Sequence, residues 1–567
     1  MSFLNLMINS IFVIFVKYNP LLFKIFFMSY KLNKIIKEPY IFYALLLLQI
    51  VYVFSMPVFL TQDGPSHLYN SKILLDIFTG NNTEIYNQYY NINIGIIPNW
   101  FSNVFLSLLL FIFSPIFAEK VFISLLIISL PLSFRYAIKA INPKALYLSM
   151  LVFIFANSYF LMYGFFNFQW SLSFLFLFIG LLFKNDFSTS IKCTIKLSLL
   201  SILVFFTHPV AYILVLLIVS VFVLQNIFQL RFLQKSEKSL IFKNILHYFL
   251  IVLPSLILFL IYFLNHDKSD VKLFINKLNY ENIKTLFTLN HLKVFANIEG
   301  VFFKIFTLLL MVNITFLILK KFKEIKIKTL INLSIIVFFC LFIYFFISDV
   351  LLGGAYLGIR ITVFIYLLLI LIAAHQKVNK TVKIVTIIGS LIISISILVI
   401  RFPIQNEIGK IAKEYIEVND LIPNNVTVLP LGFSNRGEIN SKILSPNINI
   451  FRHISGYIGA SKQRIIFDNY EANTQYFPLL WKKEVNPYLN ISSQNQEGIE
   501  LNPPKVDVLS YNKKEICKID YIIVWGDKSR FNNSEDIINL NKQLTEDYKL
   551  IYTSTNSLTM LYKRILM

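Results

Sequence analysis

Apolar runs of membrane-spanning character follow one another through the first 400 residues, separated by short polar segments. Ten of them read directly as bilayer-crossing helices: 40–60, 145–163, 167–183, 195–207, 209–228, 245–264, 301–319, 330–348, 360–374 and 384–400. A hydrocarbon core about 30 Å thick asks for about 20 apolar residues in a helix, fewer where neighbours bury it. The run 195–207 is short, which predicts a helix packed among others. An eleventh stretch, 102–138, holds two apolar pieces split at Ser114-Pro115 and Glu119-Lys120.

The polar segments are of two kinds. Six are basic: 31–37, 135–144, 184–196, 231–243, 320–328 and 377–383. Lysine and arginine concentrate in cytoplasmic loops. Placing all six there requires 102–138 to cross once, its other piece being re-entrant or interfacial, and gives about eleven crossings. Segments 61–100, 164–168, 207–209, 265–300 and 349–359 then lie on the outer face, with everything after Arg401. From there the pattern changes. A helical period over 404–418 is followed by strand patterns at 426–430, 464–467, 521–525, 550–553 and 558–562, and by a helix near 535–548. Strands and helices of this length predict a small α/β domain. The expected organisation is a cytoplasmic or interfacial segment 1–39, a transmembrane domain 40–401 with outer loop 61–101, and a soluble domain 402–567.

Composition agrees with a membrane protein. Hydrophobic residues make up 56% of the 567, and mean hydropathy is +0.65. A soluble chain of this size needs more polar surface. The net charge of +21 would suit nucleic acid, but its lysines sit in loops between apolar runs. The richness in Ile, Phe, Lys and Asn reads as a low-GC bacterial genome. The membrane is then a bacterial inner membrane and the outer face periplasmic. Cys193, Cys340 and Cys517 fit neither a disulfide framework nor a metal knuckle. Residues 11–27 are apolar but broken by Lys17, Pro20 and Lys24, without a small-residue cleavage site. They read as an interfacial helix or as an over-extended start ahead of Met28.

Polar residues gather at the outer ends of the runs, which points to one outward-facing cavity. The loop after the first run holds Asp63-Gly64-Pro65-Ser66-His67-Leu68-Tyr69-Asn70. Asp before Gly-Pro is helix-start chemistry, so Asp63 is either a cap or a functional carboxylate. His67, one turn on, either orients that carboxylate or is structural. Tyr69 projects from the same turns. Arg360, behind Gly353, Gly354 and Gly358, is a candidate phosphate ligand, because arginine grips oxyanions in bidentate fashion. The alternative is that it snorkels or pairs with Asp349. His208, in Thr207-His208-Pro209, is a ligand-binding candidate or marks a turn. Asn167 and Gln169 are candidate sugar contacts with Trp170 as a stacking surface, unless Trp170 belongs to the aromatic belt. In the tail, Arg452-His453 through Tyr457 and Phe467 through Glu471 are candidate acceptor contacts or ordinary domain surface.

A first span ending in a carboxylate, a long outer loop, many short spans and a soluble C-terminal domain together resemble the GT-C superfamily of membrane glycosyltransferases. That superfamily includes the protein O-mannosyltransferases and the aminoarabinose transferases. The Asp63-Gly64-Pro65-Ser66-His67 string is similar to the Asp-Glu-Pro-x-His strings of some GT-C-like bacterial proteins, with Gly64 where the second acid stands. The resemblance implies that Asp63 is catalytic, with His67 beside it. It also implies a polyprenyl-phosphate sugar as donor substrate and an envelope glycan, lipid or protein as acceptor. The transfer it implies is an inverting one, and because no Asp-x-Asp or Asp-x-Glu string occurs, the expected reaction is metal-independent, with no cofactor. A flippase of lipid-linked glycans is the rival reading. It predicts repeated halves and charge pairs within spans, and the sequence has neither. A non-catalytic scaffold is the third reading.

Overall fold

The computed structural model describes residues 37–565, except 82, 185–189, 231–234, 266–273, 320–326, 351–353, 440–441, 492–497, 514–517 and 532–533. The readings made for 1–36 and for Cys517 lie outside these residues. Among the described residues nine helices are long and apolar enough to cross a membrane, and the chain has the character of a helical membrane protein with a small C-terminal sheet region. Two further apolar helices are shorter, Trp100–Leu110 and Leu357–Ala373. The second is buried along nearly its whole length, so it sits among other helices, where a short span is tolerated. Ile191–Thr207, over the run expected to be short, is a helix of 17 residues.

Side-chain contacts fix how the first helices run. At one end Arg135 grips both carboxylate oxygens of Glu38, at 2.5 and 3.0 Å. At the other, Lys120 donates to the carbonyl of Met56 at 2.5 Å. Helix Pro115–Ile141 therefore runs antiparallel to Glu38–Ser55. Ser114-Pro115 breaks the earlier stretch as proline's missing N–H demands. Trp100–Leu110 lies along the loop helix Gly64–Thr79, with the Ser107 hydroxyl on the carbonyl of Ser71 at 2.8 Å. The stretch 102–138 thus holds one full-length helix and one short helix packed on the outer loop. The run 145–163 differs from a single regular helix. It starts as a 3-10 helix, Pro143–Val152, and is interrupted at Asn157-Ser158 between Phe153–Ala156 and Tyr159–Tyr163.

No break separates the helical bundle from the tail. One helix, Lys380–Ile416, runs 37 residues through the expected boundary at 401. Arg401 on it is fully buried and grips Glu299 side-on, at 3.2 and 2.8 Å, while donating to the carbonyl of Asn157 at 2.7 Å. Glu299 in turn accepts the backbone N–H groups of Val294, Phe295 and Ala296. This knot ties Asn157, the segment 294–296 and the helix Lys380–Ile416 together.

The tail is a five-stranded mixed sheet in the order Arg464–Ile466, Val426–Gly432, Tyr521–Trp525, Thr559–Arg564, Tyr548–Thr553. The first three strands are parallel and the last two antiparallel. Helix Glu535–Asp547 buries Ile537, Leu540 and Leu544. The outer loop is part of this domain. Its strand Tyr90–Ile92 pairs with Leu479–Trp481.

Candidate functional site

Asp63 ends the extended segment after the first span and precedes helix Gly64–Thr79. Its backbone N–H donates to the carbonyl of Tyr163 at 3.1 Å, and its own carbonyl accepts the N–H of His67. The side chain does not cap the helix. One carboxylate oxygen accepts from Gln62 Nε2 at 2.9 Å, and the other takes no hydrogen bond among the described residues. Gly164 makes this packing feasible. It has φ +94°, and a Cβ there would lie 2.7 Å from both the Cβ and the backbone nitrogen of Asp63. Burial pushes the Asp63 carboxyl up to about 7, against the Gln62 hydrogen bond and the charge of His67, which both lower it.

The C-terminal domain closes over this carboxylate. His67 sets Nε2 at 3.0 Å from the carbonyl of Gly164 and Nδ1 at 2.8 Å from Glu471. A carbonyl only accepts, so Nε2 carries a proton. Burial would lower the pKa of this imidazole, but the adjacent Glu471 carboxylate outweighs it and holds it above the usual histidine range. Asn70 donates to the other Glu471 oxygen at 2.7 Å. His453 comes within 3.8 Å of Asp63, stacked on Tyr470 at 4.4 Å between centroids. Burial, then the cations Arg452 and His67, hold His453 well below its usual range, so it is neutral and this contact is not an ion pair at neutral pH. Gln62 also accepts the N–H of Asn449 at 3.1 Å, a second bridge to the tail.

Glu119 supplies a second acid from helix Pro115–Ile141. It accepts from the Tyr457 hydroxyl at 2.6 Å with one oxygen, and the other has no hydrogen-bond partner among the described residues. A Cβ on residue 64 would lie 2.7 Å from that free oxygen. Gly64 therefore leaves room for a carboxylate delivered by another helix.

Arg360 lies at the start of helix Leu357–Ala373, buried and stacked over Phe165 and Phe168 at 4.7 and 5.2 Å. Nη1 donates to His208 Nε2 at 2.6 Å. Its other edge, Nε with Nη2, has no acceptor among the described residues, and Nε is buried. Asp349 is not its partner: that carboxylate takes Lys277 and the N–H of Gly358. A strip of aromatic rings joins Arg360 to Asp63. Phe165 meets Tyr163 at 4.5 Å, and the Tyr163 hydroxyl meets that of Tyr356 at 3.1 Å. Tyr163 is carried by the segment whose carbonyl holds Asp63, and all three rings are partly open to solvent.

The remaining sequence candidates spend most of their polar groups inside the protein, although Gln169 Oε1 is buried without a partner among the described residues. Asn167 accepts the N–H of Ser102 and donates to the carbonyl of Asn99, holding the start of Trp100–Leu110. Gln169 donates to the carbonyl of Ala156 at 2.5 Å. Tyr69 donates to the carbonyl of Arg464 at 2.7 Å and accepts the N–H of Ile466, docking the loop helix on the sheet edge. His208 precedes helix Pro209–Gln229 and spends its one ring acceptor, Nε2, on Arg360, which leaves the ring proton on Nδ1. The structure thus brings Asp63 and His67 together, and Arg360 with His208. Glu119, Glu471, His453 and Gln62 were not assigned to this carboxylate from sequence. Glu119 carried a signal, an acid inside an apolar stretch.

Comparison with protein-family models and with curated proteins gives no match to this chain.

Proposed function

We propose that the chain is a GT-C-like glycosyltransferase working at the outer face of a bacterial inner membrane. The observation that carries this reading is Asp63: buried, with one oxygen free, its acidity matched to neutral pH, and linked by a solvent-open aromatic strip to a buried arginine with an unfilled oxyanion-binding edge. A base of this kind suits an acceptor hydroxyl. Asp63 removes the hydroxyl proton as the oxygen attacks the anomeric carbon of a polyprenyl-phosphate sugar, with inversion. The bond from that carbon to the phosphate oxygen breaks, and the electron pair leaves with the polyprenyl phosphate. The Nε and Nη2 edge of Arg360 receives that charge, and the rings of Tyr163, Phe165 and Tyr356 offer apolar faces to the sugar.

In this reading the nine long helices, together with Ile191–Thr207 and Leu357–Ala373, make eleven crossings. An odd number places the C-terminal domain in the periplasm, opposite the basic loops. Reporters fused after 328 and after 430 are expected to report cytoplasm and periplasm respectively. A cytoplasmic signal at 430 would put Asp63 and the whole proposed site on the wrong face.

Function is tested by transfer from a polyprenyl-phosphate sugar in reconstituted vesicles. Arg360→Lys is expected to raise the donor KM about tenfold or more, because lysine keeps the charge but loses the two-pronged grip. An unchanged donor KM would remove Arg360 from the donor site.

A further inference from the structure

Helix Tyr280–Thr288 turns an apolar stripe away from the protein. Asn279 starts it, its side chain accepting the N–H of Asn282 at 2.9 Å. Tyr280, Ile283 and Phe287, spaced i, i+3 and i+7, share one face. All three are exposed, Tyr280 at 73% and Phe287 at 51%, while Leu286 turns inward and is buried. Phe274 and Leu278, just ahead of the helix, are exposed as well. Single apolar residues on a surface mean little, but a group so close together marks an interaction surface.

Hydrogen bonds fix where this surface sits. The N–H groups of Ile275 and Lys277 donate to the carbonyls of Phe346 and Phe345, at the end of helix Ile327–Phe346. The Tyr344 hydroxyl of that helix donates to the carbonyl of Asn282 at 3.0 Å, and the Tyr366 hydroxyl of Leu357–Ala373 donates to that of Leu286 at 2.9 Å. The loop helix thus lies across two other helices and prolongs neither. Tyr366 is nine residues into its helix, about 13 Å at the helical rise per residue. A tyrosine side chain spans less than that, so the far end of the loop helix sits below the start of Leu357–Ala373. Tyr356, at that start, meets Tyr163, which puts the stripe on the Asp63 side of the bundle. Ile327–Phe346 and Glu299–Leu319, between which the loop helix packs, are both long and apolar enough to cross a membrane. They expose Phe338, Phe342, Val301 and Ile305. The stripe therefore continues a lipid-facing surface.

We propose that the segment Phe274–Thr288 is a membrane-surface anchor, with Tyr280, Ile283 and Phe287 seated between the headgroups and acyl chains of the leaflet on the Asp63 side. Amphipathic helices of this kind lie in the interface plane with the apolar face buried about 5–10 Å. The residue types fit that seat. Tyrosine is favoured at headgroup level. The Lys284 ammonium stands 5.6 Å from the centre of the Tyr280 ring, so its stem covers apolar surface while its charge stays among headgroups. The chain just ahead, 266–273, is polar but for Val271 and Leu273, a poor match for an apolar stripe. The anchor is hooked to the helix that carries Arg360, because Asp349 takes both Lys277 and the N–H of Gly358. The proposal rests on the chain being embedded in a membrane and stands whether or not it transfers sugar.

The test uses the full chain in nanodiscs of phosphatidylethanolamine and phosphatidylglycerol. A fraction of the lipid carries a photoreactive diazirine in its acyl chain, and adducts are located by peptide mass spectrometry. On the unaltered chain, adducts are expected within 274–288 as well as on Ile327–Phe346. Depth is then read from a single nitroxide introduced by Ile283→Cys, Phe287→Cys or Glu281→Cys, in a background of Cys193→Ser, Cys340→Ser and Cys517→Ser. Collisions with oxygen, which partitions into lipid, should exceed those with a water-soluble nickel chelate at 283 and 287, and fall below them at 281. Three results would overturn the proposal. The first is adducts on Ile327–Phe346 with none within 274–288. The second is an excess of nickel collisions at 283 and 287, which would put the stripe in water. The third is exclusion of both reagents there, which would mean that protein covers it, a second copy of the chain or another partner. Sugar transfer is not read here, so its failure would leave this result standing.

Discussion

Asp63→Asn is expected to lower sugar transfer about 10²–10⁴-fold, the usual contribution of a general base, while expression and folding stay near wild type. The swap is close to isosteric. Its oxygen still accepts from Gln62, and no helix cap is lost because the carboxylate makes none. The pH dependence separates a base from a bystander. Wild-type activity should rise with pH and level off above about 7, where the Asp63 carboxyl ionises. Stability responds in the opposite sense. The folded carboxyl titrates near 7 against an ordinary value of 3.8, so the protonated form favours the fold. This contribution is full below about 4, is lost between there and about 7, and stays lost above. The asparagine variant, uncharged throughout, should therefore match or exceed wild-type stability at pH 8. Unchanged transfer by Asp63→Asn in reconstituted vesicles would remove Asp63 as the base, and no transfer by the wild-type chain would reject the enzyme reading in favour of a flippase or a scaffold.

Period and turn chemistry made most of the architecture legible. The strand expected at 521–525 spans Tyr521–Trp525, and the helix expected near 535–548 spans Glu535–Asp547. These depend on local alternation, which a single sequence displays. One helix runs on through the expected boundary at 401, because Pro403 and the polar residues after it change composition without breaking the helix. Likewise apolar content alone does not tell the 3-10 winding of Pro143–Val152 from a regular helix. At the site, Asp63 stood out because its loop chemistry is local. Its partners stood out only as candidate acceptor contacts in the tail: His453, which meets Asp63, and Glu471, which meets His67, lie about four hundred residues away in sequence and arrive there because Tyr69, Asn70 and the strand Tyr90–Ile92 fasten the loop to the tail. Asn167 and Gln169 had the right residue types for sugar contacts. Whether such an amide faces a ligand or a backbone carbonyl is decided by tertiary packing, and here both face backbone.

Arg401→Met should be the most damaging substitution away from the site. Arg401 and Glu299 are 1% and 0% exposed at the side chain, and together they hold segments 294–296, Asn157 and the long helix Lys380–Ile416. Removing one partner of a buried pair leaves an uncompensated charge, which costs about 3–5 kcal/mol. Glu299→Gln should be similarly harmful, since the guanidinium would keep only the Asn157 carbonyl and a neutral amide. The double variant removes both charges, so it should be less destabilised than the two single effects added. A chain of this size need not unfold in one step, so the ordering of thermal midpoints in detergent is the reliable readout. Wild type should melt highest, and the double variant should lie above the level expected from adding the two single losses. Strict additivity would mean that the two groups act through separate partners, Glu299 on its three backbone N–H groups and Arg401 on Asn157. A wild-type midpoint for Arg401→Met would remove the pair from the account of how tail and bundle are joined.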